Sequence, residues 1–516
     1  MDAASRNIVG HKVKTAPEIA RLIGPLPRDK KVIMCHGTFD IVHPGHVRHL
    51  LYAKSKAAIL IASLTADEHI MKANFRPFVP QDLRAFNLAA LECVDYVLID
   101  ADPKPLKNIA IIQPDYFAKG YEYTKSGLNP RTAEEQAVVT SYGGEVIFTP
   151  GDVVYSSSHI IETDPPAIAT EKLMALLDAE KLSFEDLRRS LQKFAGFKVH
   201  VIGDTIIDSY TQCTMIGGMT KTPTMSVRFE EQLDFVGGAG IVATHLKAAG
   251  ADVTFSTVLG DDKLGQFALD TLQAAGVKCL PIIDQTRPTT NKNAIVAGGY
   301  RLLKVDKVDN RSISDRVVNT IAEQLRETPT DIAVFSDFRH GIFNRDTIPP
   351  LSAAIPKETL RIADSQVASR WGNILEFEGF DLITPNEREA RFALGDQDST
   401  IRPLARELYR RAQCKTLILK LGARGIITYR STDQHNPRAF FNVDSFVDHV
   451  IDAVGAGDAL LAYAGLAQAA TGNEVIASIL GSLAAGVECE KEGNMPVGQS
   501  DVGQKIDSIE RIARYE

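Results

Sequence analysis

A hydroxyl, a small-residue turn and the paired imidazoles of His43 and His46 meet in one short run, Cys35-His36-Gly37-Thr38-Phe39-Asp40-Ile41-Val42-His43-Pro44-Gly45-His46. An apolar stretch precedes the run and a helical pattern follows it. The spacing therefore sets the two histidines at a helix start. Backbone N–H groups there favour phosphate, and Gly lets a nucleotide approach closely. His43 and His46 are three apart and share a face once helical. Pro44 suits the first turn, where a missing N–H costs nothing. Far downstream, Asp452-Ala453-Val454-Gly455-Ala456-Gly457-Asp458 is a second phosphate-handling signal. Two unlike sites of this kind in one chain point to a two-step enzyme.

The two runs suit different chemistry. When a phosphate monoester attacks a nucleoside triphosphate, the nucleophile is already an anion and no base is needed. The enzyme must align two anions and stabilise charge on the α-phosphate and the leaving pyrophosphate. Thr38, His43 and His46 supply such groups, followed in order by Lys72, Arg76, Arg84, Lys119 and the serines Ser156, Ser157 and Ser158. The same histidine spacing would also suit a metal pair or plain surface residues. Tyr121 and Tyr123 suit an acceptor pocket and packing equally. A sugar hydroxyl, by contrast, must lose its proton to attack, and a carboxylate can take it. Asp458 is that carboxylate. The turn Gly455-Ala456-Gly457 before it can aim N–H groups at the transferring phosphoryl, and the apolar run from Ala459 to Leu466 makes it a helix N-terminus.

The elements that must position these residues read as two α/β units. Candidate strands at 31–35, 57–64, 96–99, 116–118 and 145–148 alternate with helical patterns, clearest at 47–56 and 81–91. That alternation predicts a parallel sheet with crossover helices. The pattern breaks near Thr163-Asp164-Pro165-Pro166. Two charged helices are expected at 170–177 and 184–194, and a new strand at 198–202. Further strands at 253–258, 332–336, 360–363, 382–384 and 416–421 continue the second unit. Segments 210–235 and 293–308 read as short antiparallel strands forming a flap. The expected divisions are 1–162, a helical linker 163–196, and 197–516.

Bulk numbers bound the function. At 516 residues, 44% apolar and 24% charged, the chain is a multi-domain globular protein. No apolar stretch approaches the ~20 residues that span a bilayer. The N-terminal MDAASRNIVGHKVK has no apolar core, so no secretory signal is expected. Six cysteines without CxxC spacing argue against a disulfide framework and a zinc site. A net charge of −8 gives no reason to expect nucleic acid. The expectation is a cytoplasmic enzyme with no membrane or nucleic-acid partner.

The first run resembles the cytidylyltransferase-like nucleotidyltransferases, whose signatures are a GTFD-type turn, HxGH and a late serine/threonine motif. The match extends from Lys31 to about Ile161, including Cys93-Val94-Asp95-Tyr96-Val97 and Lys119-Gly120. The resemblance implies a Rossmann-like domain in which His43 and His46 contact the triphosphate. Gly37, Thr38, Phe39, Arg84, Lys119 and Ser156 to Ser158 would bind nucleotide, and Lys72 would assist catalysis. Asp40 reads as a turn-stabilising acid. His159 stands where that family often has Lys or Asn.

The second run resembles the DTxGAGD signature of ribokinase-type (phosphofructokinase B) sugar kinases, from about Phe197 to Val497. Other matches fall in family order: Val201-Ile202-Gly203-Asp204 with Asp208, Phe235-Val236-Gly237-Gly238-Ala239-Gly240, Gly260-Asp261-Asp262, Thr384-Pro385-Asn386-Glu387-Arg388-Glu389, Lys420-Leu421-Gly422-Ala423-Arg424-Gly425 and Lys491-Glu492-Gly493. The resemblance implies a ribokinase-like domain with Asp458 as base. Gly455, Ala456, Gly457 and the Asp458 amide would form the anion hole. Asn386, Glu389, Lys420, Gly422 and Gly425 would serve nucleotide, Glu389 would help place Mg2+, and Asp204, Asp208, Gly237 and Gly238 would hold sugar. Two departures stand out: Ile241 replaces a usual Asn, and His340 replaces a lysine in Ser336-Asp337-Phe338-Arg339-His340-Gly341.

Together the halves resemble bifunctional heptose-phosphate kinase/nucleotidyltransferases, with the domain order reversed. The expected function is phosphorylation of a heptose-like sugar or sugar phosphate by ATP, and nucleotidyl transfer from ATP or CTP to a sugar or polyol phosphate. The alternative is a glycerol- or polyol-phosphate cytidylyltransferase with a silent kinase-like domain. Mg2+ and, from the family, a homodimer are expected.

Overall fold

The computed structural model describes residues 9–70, 77–120, 130–149, 168–217, 225–366, 373–433, 436, 438–491, 493 and 495–515. Lys72, Arg76, Tyr121, Tyr123, Ser156, Ser157, Ser158, His159 and Glu492 lie outside the described residues.

The run Val32-Ile33-Met34-Cys35 is wholly buried and opens β1 (Val32–Gly37). Four more parallel strands join it: β2 (Ile59–Thr65), β3 (Tyr96–Asp100), β4 (Tyr116–Gly120) and β5 (Glu145–Thr149), in the order β3-β2-β1-β4-β5. Successive strand side chains point to opposite faces. Ile33 and Cys35 thus join one apolar cluster with Leu60 and Leu88, while Val32 and Met34 join another with Ile61 and Phe117. A parallel sheet covered on both faces needs such continuous apolar runs. The strand order reverses at β1, and the crevice outside the carboxyl ends at such a point is where α/β folds bind ligands. The His43 run begins there.

The second unit centres on β6 (Lys198–Gly203), β9 (Asp252–Leu259), β10 (Lys278–Ile283), β13 (Ile332–Asp337), β14 (Leu360–Ser365), β15 (Leu382–Ile383), β16 (Thr416–Lys420), β17 (Ile426–Tyr429) and β18 (Phe440–Val443), ordered β10-β9-β6-β13-β14-β15-β16-β17-β18. The sheet is parallel up to β16, and β17 and β18 are antiparallel. The sequence pattern did not show β10, β17 or β18. The first is an edge strand carrying Pro281, and the other two are four residues each.

The expected flap is a four-stranded sheet of β7 (Thr205–Gly217), β8 (Ser226–Gly238), β11 (Thr290–Ala297) and β12 (Tyr300–Lys307), ordered β12-β11-β7-β8. Its two hairpins are antiparallel as expected, but β11 runs parallel to β7.

The helices Ala169–Ala179 and Phe184–Gln192 are not a free tether between domains. Leu173, Leu177, Leu187 and Leu191 belong to the core of the second unit. On its other side, Ala175 packs with Val79 and Leu83 of the first unit. Lys172 sits 3.9 Å from the Phe78 ring centroid and bonds Asp444 at 2.9 Å. The amphipathic faces of these helices bury more apolar surface against a domain than a linker could.

Gly238 joins β8 to the helix Ala239–Ala248 at φ +62°. A Cβ there would stand 2.4 Å from the Asp204 carbonyl oxygen, whereas one at Gly298, φ +60°, would meet nothing within 4 Å. Gly298→Ala should cost only the backbone strain of about 1–2 kcal/mol. Gly238→Ala should cost clearly more. Urea unfolding midpoints of the two variants check this, and equal midpoints would refute it.

Candidate active sites

At the first site the turn after β1 aims side chains at the start of the helix Pro44–Lys54. Pro44 takes the first helical position and His43 is the N-cap residue. The His43 and His46 rings stack with centroids 3.9 Å apart. Gly45 leaves room for this, because a Cβ there would lie 3.0 Å from the His43 ring. Phe39 adopts φ +49°, a left-handed conformation costly for a bulky residue. That places its ring edge-on to His46, centroids 5.2 Å apart, and close beneath Gly37. His46 Nδ1 lies 3.2 Å from the Ile41 carbonyl oxygen. Burial lowers the His43 pKa, so the ring is neutral near pH 7 and can meet phosphate as a hydrogen-bond donor.

The structure also gives roles that the sequence left open. Asp40 is 1% exposed and accepts the Phe78 and Val79 N–H groups at 2.9 and 2.8 Å, which is the turn-stabilising role expected of it. Arg84, expected among the nucleotide ligands, is fully buried. Its guanidinium donates to the carbonyls of Thr38, Thr65 and Val79 and pairs with Asp67. It braces the turn after β1 from within the protein. Lys119 is likewise buried, paired with Glu135 at 2.6 Å. His36, which the sequence reading did not single out, lies between Ser63 and Thr65 hydroxyls at 2.9 and 3.2 Å. Burial, then Lys119, drives its pKa down to about 3. No sequence signal distinguished it from the rest of the apolar strand end.

At the second site a cavity of about 720 Å³ lies beneath the flap. Asp458, Gly455, Gly457, Asn386, Glu389, Lys420 and Gly422 line it from the large sheet, and Asp208, Gly238 and Lys292 from the flap side. Gly455, at φ +85°, is the N-cap residue of the helix Ala456–Thr471. The expected anion hole needs one correction. The Asp458 N–H is already donated to the Gly455 carbonyl at 2.9 Å. Among the described residues no backbone acceptor takes the Ala456 or Gly457 N–H, which leaves those two amides for an anion.

Charge dominates this cavity. Lys420 binds both oxygens of Asp364 at 3.0 Å. A Cβ on Gly457 would lie 3.2 Å from its ammonium, so the charge rests against the turn that ends in Gly457. Burial, and then Asp364, pushes the Asp458 carboxyl up to about 8, with Lys420 opposing. Burial likewise raises Glu389 to about 7 against the pull of Lys420. Glu389 closes a capping box with Asn386 at the helix Glu387–Leu394, so both its oxygens already accept hydrogen bonds. Among the described residues no group of three His, Cys, Asp or Glu forms a ready metal cage. Carboxylate oxygens of Glu389 and Asp364 nonetheless suit a hard cation that keeps its own waters.

Of the expected sugar ligands, Asp208 faces the cavity and stands opposite Lys292 across β7 and β11. Asp204 does not line it. It is 4% exposed and accepts the Phe338 and His340 N–H groups at 3.1 Å each, fixing that turn. Gly237 pairs with Ile206 in the flap. Gly425, at φ +77°, lets the Val443 carbonyl approach closely. The two departures from the family also lie off the cavity lining. Ile241 is 2% exposed within its helix. His340 has its Nδ1 2.7 Å from Asn310, and burial lowers its pKa to about 4. Lys292, Arg301 and Asp364 were missed from the sequence, since isolated charges on strands carry no motif.

Residues 197–497 match the pfkB family carbohydrate kinase profile, more than half of the chain. The chain belongs to the pfkB family. Ahead of its pfkB domain, residues 34–163 match the cytidylyltransferase-like family. Among curated relatives, the Bifunctional protein HldE of Desulfatibacillum aliphaticivorans is 28% identical over 61% of this chain and 64% of that protein. The Bifunctional protein HldE of Pelobacter propionicus is 36% identical over 29% of this chain and 30% of its own. The matches thus span less than two thirds of these relatives' length. Phosphofructokinase-2 from Escherichia coli, in complex with substrates and products, superposes on 61% of this chain and all of its own at TM-score 0.51 with 18% identity. That likeness concerns fold alone. No helix among the described residues is long and apolar enough to cross a membrane.

The raised Asp458 carboxyl has a signature in stability. Its unfolded value is near 3.8 and its folded value about 8. Between them the folded chain binds the extra proton, so stability falls as pH rises through that window. Asp458→Asn removes the ionisation. Relative to the native chain, its thermal midpoint should gain more at pH 8.5 than at pH 5.5. An equal gain at both would refute the assignment.

Proposed function

We propose that the chain is a bifunctional enzyme. Its pfkB domain phosphorylates a heptose-like sugar or sugar phosphate with ATP. Its cytidylyltransferase-like domain transfers a nucleotidyl group from ATP or CTP to a sugar or polyol phosphate and releases pyrophosphate. The product class is a nucleotide-activated sugar. The observation that carries this reading is the placement of Asp458, a buried carboxylate one residue beyond two open helix N-terminal amides and beside Lys420. Such a group can accept the sugar hydroxyl proton as its oxygen attacks, while the Ala456 and Gly457 amides meet the charge on the moving phosphoryl. A carboxyl poised near 8 is matched to proton transfer close to neutral pH. Mg2+, bound by Glu389 and Asp364 through water, would neutralise triphosphate charge. At the other site, stacked His43 and His46 at a helix start would donate to the triphosphate, and the acceptor phosphate needs no base.

The second reading, a glycerol- or polyol-phosphate cytidylyltransferase with a silent kinase-like domain, draws on Ile241 and on the neutral His340. Both lie outside the cavity lining, which favours the two-enzyme reading. Met215, Phe229, Leu233, Leu303 and Val305 of the flap are exposed, and a second copy covering them would form the proposed homodimer.

Pyrophosphate and ADP, measured separately with Mg2+, one triphosphate at a time and a panel of sugar and polyol phosphates, test the division of labour. Asp458→Asn should lower ADP formation by about 10²–10⁴-fold and leave pyrophosphate release intact. His43→Ala should do the reverse. Equal impairment of both activities by His43→Ala would refute separate sites. ADP absent across the panel would favour the silent-kinase reading.

A further inference from the structure

We propose that Arg402, a residue of the pfkB domain, is a positioning residue for nucleotidyl transfer in the other domain; this rests on the two-site reading above. Arg402 lies in the helix Ile401–Ala412. Its Nη1 donates across the domain boundary to the carbonyls of Asp67 and Ile70, at 2.5 and 3.2 Å. Its own placement is fixed. The guanidinium lies 5.0 Å from the Phe440 ring centroid, and the Tyr429 hydroxyl donates to the Arg402 carbonyl at 3.2 Å.

The two carbonyls bracket the 3-10 turn Asp67–His69 that follows β2. Ile70 is also the last described residue before the segment carrying Lys72 and Arg76. From this turn a continuous path leads to the histidines. Asp67 Oδ1 pairs with Arg84 at 2.5 Å, and the same guanidinium donates to the Thr38 carbonyl. Thr38 stands in the turn that delivers His43 and His46. Asp67 is further tied to Gln81, whose N–H it accepts at 3.2 Å and whose side-chain oxygen takes its own N–H at 3.1 Å.

A planar guanidinium held against Phe440 aims the two N–H groups of one nitrogen, Nη1, at the two carbonyls, a fixed direction that a flexible ammonium does not keep. Losing that clamp would take the Arg402 donor from both carbonyls, leave the Asp67 carbonyl with the Ile70 N–H at 3.3 Å, and let the Asp67 turn shift. A displacement of about 1 Å at a phosphate-aligning site is enough to cost about 10²-fold in rate. A neighbouring contact reinforces the clamp: Arg406, one turn along the same helix, lies 3.7 Å from the buried Glu68. The pfkB domain thus holds the turn at Asp67, Glu68 and Ile70, which Arg84 connects to the HxGH run, although its own cavity is lined by other residues.

The test uses the full chain. Arg402→Met keeps an apolar stem over Phe440 and removes the N–H donors, while Arg402→Lys keeps a charged donor on a flexible stem. Pyrophosphate release and ADP formation are each followed over a range of ATP and CTP. The expected result for Arg402→Met is a loss of about tenfold or more in kcat/KM for pyrophosphate release. ADP formation should stay at the native rate, and Arg402→Lys should recover part of the loss. If Arg402→Met fails to fold, Arg402→Lys carries the same comparison. Unchanged pyrophosphate release, or a parallel loss of both activities, overturns the inference while the two-site reading stands. A native chain that releases no pyrophosphate with either triphosphate overturns both.

Discussion

A parallel strand buried on both faces has no side chain left over for chemistry. Its residues must be apolar, as in Val32-Ile33-Met34-Cys35, and the polar work moves to whatever follows the strand's carboxyl end. Both sites of this chain obey that constraint. The HxGH turn follows β1, where the first sheet's order reverses. In the second unit, Asp364 is the last residue but one of β14, Asn386 follows β15 and Lys420 ends β16. The helices that begin at Pro44, Glu387 and Ala456 then turn their N-termini to the same edges.

The two sites solve charge differently. Near His43 three of the described groups are neutral or paired inside the protein: His36 is kept unprotonated by burial, Lys119 is tied to Glu135, and Arg84 to Asp67. The stacked imidazoles and the helix start would suit the proposed alignment of two anions. Around Asp458 the protein gathers Asp208, Asp364 and Glu389 near Lys420 and Lys292. The raised carboxyls of Asp458 and Glu389 record the cost of holding these charges out of water. A cation bound among these carboxylates, as proposed above, would relieve that cost.

The domains are joined by more than chain. The helix Ala169–Ala179 contributes Leu173 and Leu177 to one core and Ala175 to an apolar contact with the other unit. Arg438 reaches Asp82 at 3.2 Å beside it, and the Arg402 clamp lies on the same boundary. An interface that combines a small apolar patch with several charged hydrogen bonds holds a fixed register without requiring a large buried area.

The sequence by itself determined the class of each fold, the positions of most strands, the HxGH helix start and the Asp458 turn. These rest on local physics: apolar periodicity, proline at a first turn, glycines at tight turns. Tertiary structure decided which charged residues face a site. Arg84, Lys119 and Asp204 carry motif positions yet are turned inward to satisfy buried carbonyls, a carboxylate and amides. Lys292 and Asp364 carry no motif yet line the cavity. The Asp458 amide was lost to its own helical turn. Whether a polar group meets a ligand or a neighbour depends on what long-range packing brings within about 3 Å of it. Local spacing along the chain does not contain that information, and the cross-domain reach of Arg402 is its clearest case.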